Sequence, residues 1–214
     1  MNREPGTKRA PGAFGSLPAR VALLLAGSLI STICYAVTIR AGLGLGPLYV
    51  LQDGIARHAD ITIGTSVIAT GFVLVLVACA LRSRPGPGTL VLPLLGGVTL
   101  DRLLPHIPAL HGWPLRFAAV VAATWLMALA GALMIRASVG VAAYDAVMLG
   151  LRRLLARPLS PIRIAMEITA LIGGWLLGGS IGVGTVITGL LIGPGIQFWL
   201  TIIGDPHEAF APAG

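Results

Sequence analysis

Three ionisable side chains, Asp145, Arg163 and Glu167, stand inside or beside long apolar stretches of the chain. A charge at such a place is costly and marks a pair, a pathway or a binding group. Arg163 and Glu167 are four residues apart, which puts both on one helical face, so an ion pair between them is expected. The rival role for Glu167 is a proton- or cation-coupling site. Asp145 falls near the start of a short helix, where a carboxylate complements the helix dipole, while Arg152 and Arg153 occupy its later turns. Before that helix lies Gly140, and before an earlier counterpart lie Gly42, Gly44 and Gly46, followed by Pro47. Glycine permits backbone shapes that other residues avoid, and a helix starting just after such a break aims its free N–H groups back at it. That arrangement suits an anion or a substrate carboxylate. The candidate substrate-binding set is therefore Gly44, Tyr49, Gly140, Asp145 and Glu167. The plainer reading is a turn packed closely against a neighbouring helix, with Asp145 serving only its own helix start.

The elements that must position these residues are membrane helices. With 56% hydrophobic residues, 11% charged ones and a mean hydropathy of +0.89, the chain has too little polar surface for a soluble globule. Six runs are long and apolar enough to span the bilayer: 21–39, 62–81, 87–104, 117–135, 161–178 and 184–203. Two shorter segments, 47–56 and 142–155, lie after the first and fourth runs and read as interfacial or re-entrant helices. Sliding the chain by 96 residues pairs Arg40 with Arg136, Gly44 with Gly140, Gly54 with Gly150, Arg57 with Arg153, Gly97 with Gly193, and Gly86-x-Gly88-Thr89 with Gly182-x-Gly184-Thr185. Such self-similarity is the mark of an internal repeat.

Each half thus holds three spans and one short helix, and an odd number of crossings turns the second half upside down. The expected fold is an all-α polytopic membrane protein of six transmembrane helices in two inverted three-helix repeats, each with its short helix after the first span. The expected organisation is a disordered basic cytoplasmic tail over 1–19, repeats over 20–104 and 116–204, an outer linker over 105–115 and a short C-terminal tail over 205–214. Basic residues agree with both termini in the cytoplasm. Arg3, Lys8, Arg9, Arg20, Arg82, Arg84, Arg136, Arg152, Arg153, Arg157 and Arg163 fall inside, against Arg40, Arg57, Arg102 and Arg116 outside.

Several classes are excluded or disfavoured. The formal charge of +7 comes from residues at the ends of apolar runs, not from a stripe with interleaved aromatics, so nucleic acid is not expected. Cys34 and Cys79 lie in apolar spans and read as small buried hydrophobes. His106 and His111 in the linker have no Cys, Asp or Glu beside them to complete a metal site. No Ser/His/Asp set, HExxH or P-loop occurs, and the GLGLGP string is not a dinucleotide fingerprint, so neither an enzyme nor a cofactor is expected.

The IRA-x-x-G break, the short helix bearing Asp145, and the strings PIRIAME, GGWLLGG, GVGT and LLIGP resemble the YczE-like bacterial integral membrane proteins, part of the broader YczE/YyaS/YitT group. The resemblance covers residues 20–203 and is strongest in the second half. There Asp145, Arg163, Glu167, Trp175, Gly182, Gly184, Thr185, Gly193 and Pro194 fall in family-like places. In the first half the family's Gly-Pro-Trp-Asp string is replaced by Gly46-Pro47-Leu48-Tyr49, so Tyr49 stands where an acid would make the site symmetric. The resemblance implies a multi-pass protein of the bacterial inner (plasma) membrane rather than an activity. The expected function is transporter-like or permease-like, with a small-molecule or ion substrate held between the halves. The alternative is an accessory membrane protein that binds or regulates a partner protein or pathway without transport; a protein partner or a homo-oligomer is possible in either case.

Overall fold

The computed structural model describes residues 16–83, 86–139 and 142–203. Among them the chain forms α1 (Leu17–Ala41), α2 (Pro47–Ala59), α3 (Ile63–Ala80), α4 (Pro87–Leu103), α5 (Trp113–Ala137), α6 (Ala143–Leu155), α7 (Leu159–Leu176) and α8 (Val183–Ile203), with one 3-10 turn after α4. No strand occurs among the described residues. The protein is an all-helical membrane protein, and α1, α3, α5, α7 and α8 are long and apolar enough to cross a bilayer. The sixth expected span, α4, is the shortest of the long helices at 17 residues and carries Pro93 inside and Arg102 in its last turn. Gly140 and most of both expected tails lie outside the described residues, and α1 already begins at Leu17.

Helix lengths recur along the chain. α1 and α5 have 25 residues each, α2 and α6 have 13, and α3 and α7 have 18. Each pair begins 96 residues apart. Left-handed residues recur at the same offset: Gly42 (φ 60°) with Ser138 (49°), Asp60 (51°) with Ala156 (48°), and Arg82 (55°) with Gly178 (85°). The first two pairs close α1, α5, α2 and α6, where a left-handed residue turns the chain off the helix.

Near the start of α1, Arg20 donates to the carbonyls of Ala137 (2.7 Å) and Ser138 at the end of α5. Near the start of α5, Arg116 donates to those of Ala41 and Gly42 (2.7 Å to Gly42) at the end of α1. The two helices therefore run antiparallel. Each guanidinium satisfies carbonyls that have no partner within their own helix and complements the negative end of the other's dipole. The crossing is close because Gly27 has no side chain; a Cβ there would lie 2.9 Å from the Ala130 carbonyl.

Around this central pair, α4 flanks α1 and α8 flanks α5, while α2 packs on α7 and α6 on α3. Each short helix thus leans on a long helix from the other end of the chain. Small residues permit it: a Cβ at Gly174 of α7 would lie 2.5 Å from the backbone nitrogen of Leu51 in α2. One contact is not repeated. α3 packs along α4, with the Pro93 ring seated over Gly71, whereas α7 and α8 make no comparable contact. The residue 96 positions after Gly71 is Glu167, and its bulk and charge do not fit such a seam.

Candidate functional site

A cavity of about 180 Å³ lies where α1 to α6 meet. Ser28, Ser31, Thr32 and Tyr35 line it from α1, Tyr49 and Gln52 from α2, and Tyr144 from α6. The α1 residues sit at offsets of three, four and seven, so they share one helical face. Among the described residues, no charged one lines the cavity.

Most of these polar groups are satisfied locally. The Thr32 hydroxyl donates to the Ser28 carbonyl (2.9 Å), and the Tyr35 hydroxyl donates to the Tyr49 carbonyl (3.4 Å). The two tyrosine rings stack, with centroids 3.9 Å apart. Ser66 of α3 donates to the Gln52 carbonyl (2.6 Å) and fixes α2 beneath the cavity. Two side-chain atoms are different. Gln52 Oε1 and the Tyr144 hydroxyl are buried and have no hydrogen-bond partner among the described residues. A buried polar atom left unmatched costs about 1–3 kcal/mol, which a guest that bonds to it recovers. The amide oxygen accepts only, and the hydroxyl both donates and accepts, so the cavity suits an uncharged molecule carrying at least one donor.

Of the residues expected to bind substrate, Tyr49 lines this cavity, and Gly44, Asp145 and Glu167 do not. Gly44 (φ 100°) is covered by the backbone of Gly182. The glycine break around it is sealed onto the turn before α8: Leu45 N–H donates to the Ser180 carbonyl (3.1 Å), and Gly184 N–H donates to that of Leu43 (2.7 Å). The break thus permits close backbone packing there. Arg163 Nε donates to Glu167 Oε1 (3.0 Å) on α7. Asp145 occupies the first turn of α6 and makes no hydrogen bond or ion pair among the described residues, with Arg163 in electrostatic reach. All three charges lie within electrostatic reach of Tyr144, and none of them lines the cavity.

Sequence reasoning passed over Gln52, Tyr144 and the α1 hydroxyls, although the Ser28-x-x-Ser31-Thr32-x-x-Tyr35 spacing is legible in an otherwise apolar run. Asp53 is buried in α2. Its carboxylate accepts from Ser180 N–H (2.8 Å) and Arg57 Nε (3.1 Å), and Arg57 also donates to the Ser180 hydroxyl (2.9 Å). Among the described residues, no group of three or more His, Cys, Asp or Glu converges as a metal site would require.

Comparison with known proteins places the chain in a family. The profile of a family of unknown function (DUF6198) matches residues 18–201. An uncharacterized protein of Haemophilus influenzae is 31% identical over 192 residues, covering 87% of this chain and 86% of the relative. The uncharacterized membrane protein YczE of Bacillus subtilis is 26% identical over 177 residues, 82% of each chain. No solved structure matches.

Proposed function

Because this chain belongs to the DUF6198 family of unknown function and is YczE-like, we propose a function from its own geometry: a small permease of the bacterial cell membrane that binds an uncharged polar solute between two inverted halves. The observation that carries this reading is the inter-helix cavity, with Gln52 Oε1 and the Tyr144 hydroxyl buried and unmatched. Substrate sites of repeat-built transporters lie at the interface of the repeats. In favour of inversion stand the equal helix lengths 96 residues apart and the reciprocal arginine contacts between antiparallel α1 and α5. In this reading α4 is the sixth span, both termini are cytoplasmic, and the protein is not an enzyme. Asp145, Arg163 and Glu167 do not line the cavity and in this reading act on it through their charge rather than as direct ligands.

Inversion is tested by labelling. In a Cys79→Ser background, single cysteines replacing the exposed residues Asp60 and Ala156 should react with an impermeant maleimide from opposite membrane faces. Reaction from the same face would sink the inverted arrangement.

The site is tested by thermal stabilisation of purified protein with uncharged amides and polyols against carboxylates and inorganic cations, followed by flux of the stabilising solute into proteoliposomes. Gln52→Leu and Tyr144→Phe should each weaken binding about tenfold, the worth of one hydrogen bond. Asp145→Asn and Glu167→Gln should weaken it less. Stabilisation by carboxylates alone, or binding indifferent to Gln52→Leu, would remove the assignment. The internal pairing of Glu167 with Arg163 favours a second reading, an accessory protein that regulates a partner; solute binding without flux supports that one.

A further inference from the structure

A second hollow, distinct in character, runs beside α7. It is an open groove of about 970 Å³, walled on one side by residues from Pro158 to Gly173, a length of about 22 Å at 1.5 Å per residue. Leu51 of α2, Leu74 of α3, and Leu151 and Leu155 of α6 also line it. Arg157, just before α7, is the one charged residue of the lining among the described residues and sits at one end. Neither Asp145 nor Glu167 takes part in the lining. Leu48, Leu74 and Tyr144 belong to both the groove and the smaller cavity, so the two hollows share a wall.

We infer that this groove is a binding site for an anionic glycerophospholipid, one acyl chain lying along α7 and the phosphate resting on Arg157. The length fits a chain confined to one leaflet, about 15 Å of hydrocarbon, together with the headgroup region. The charge fits as well. The exposed guanidinium of Arg157 has no hydrogen-bond or ion-pair partner among the described residues, and neither do Arg152 and Arg153 on the last turn of α6. Arg157 at one end of the apolar slot, with Arg152 and Arg153 a few residues before it in the chain, favours a negative headgroup over a zwitterionic one, because basic residues near a membrane surface attract anionic lipid. A neutral lipid would fill the slot equally well and gain nothing from the arginines. This reading is independent of whether the smaller cavity carries a solute.

Native mass spectrometry of the purified full-length protein decides the matter, with phosphatidylglycerol and phosphatidylcholine of identical chains offered in equal amounts. The wild type should retain phosphatidylglycerol preferentially. Arg157→Gln should lower that retention about fivefold, the worth of one basic residue near an anionic surface. Arg102→Gln, at the exposed end of α4, should leave it unchanged. Ala165→Trp, which fills the groove, should lower retention of both lipids; if that variant does not fold, Arg157→Gln and Arg102→Gln still decide. Equal retention of the two lipids by the wild type would overturn the assignment. So would an equal loss in Arg102→Gln and Arg157→Gln. A dimer that Ala165→Trp dissociates would give the groove to a second copy of the chain instead.

Discussion

Gly44→Ala is expected to remove most of the folded protein from the membrane. Two costs combine at this position. The backbone stands at φ 100°, a conformation that an L side chain adopts only at a cost of about 1–3 kcal/mol. The added Cβ would also collide with the backbone nitrogen of Gly182 and lie 2.8 Å from both Gly182 Cα and Thr185 Oγ1. Backbone cannot step aside as a flexible side chain can, so the Gly184–Leu43 and Leu45–Ser180 hydrogen bonds must lengthen or break. Together these effects come to about 4 kcal/mol, a large share of the 5–15 kcal/mol that holds a typical domain together. Gly42→Ala gives the contrast. Its φ of 60° lies in the ordinary left-handed region and its nearest neighbour is the Arg116 guanidinium at 3.2 Å, so it should cost only about 1–2 kcal/mol. Fluorescence-detected size exclusion after graded heating measures both; equal midpoints for the two variants would refute the explanation.

Asp53→Ala is the second large effect. The carboxylate is 3% exposed and holds α2 to the turn before α8 through Ser180 N–H and Arg57. Removing it leaves the Ser180 amide without its acceptor and cuts a charge-assisted bond, a loss of about 3 kcal/mol. Arg57→Gln should cost far less, about 1 kcal/mol or below, because that side chain is 59% exposed and its charge is screened. The same heating assay reads both. A larger loss from Arg57→Gln than from Asp53→Ala would show that the exposed ion pair, not the buried amide contact, fastens α2.

The contrast between Asp53 and Asp145 shows what a sequence of this kind discloses. Helix positions are legible because apolar runs and glycine breaks report directly on hydrocarbon thickness and chain reversal, and α2 and α6 fall where the short segments are expected. Hydrogen-bonding partners are not legible, because they depend on which turn meets which helix across the bundle. Asp53 reads as an ordinary acid near a helix end, yet Ser180, 127 positions away, meets it. Asp145 reads as the leading binding group, yet it makes no bond among the described residues. The glycine breaks illustrate the same limit. Spacing identifies Gly44 as a special backbone position but does not distinguish a ligand cradle from a backbone crossing; only the arrival of Gly182 does. The cavity hydroxyls of α1 are masked by the leucines and isoleucines around them, since average hydropathy hides a polar stripe one residue wide.

The reciprocal arginine contacts also bear on how the chain is made. The carbonyls that end α1, at Ala41 and Gly42, wait for Arg116, about 75 residues further along. At ordinary synthesis rates that interval is about 4 to 15 seconds. During it the first half of the nascent chain holds an open helix end that no residue of its own closes through this contact. Ala137 and Ser138, by contrast, meet an Arg20 that has been waiting since the beginning. The two reciprocal contacts are thus asymmetric in time: one closes as soon as the end of α5 is made, and the other waits, its carbonyls left to water, until Arg116 emerges.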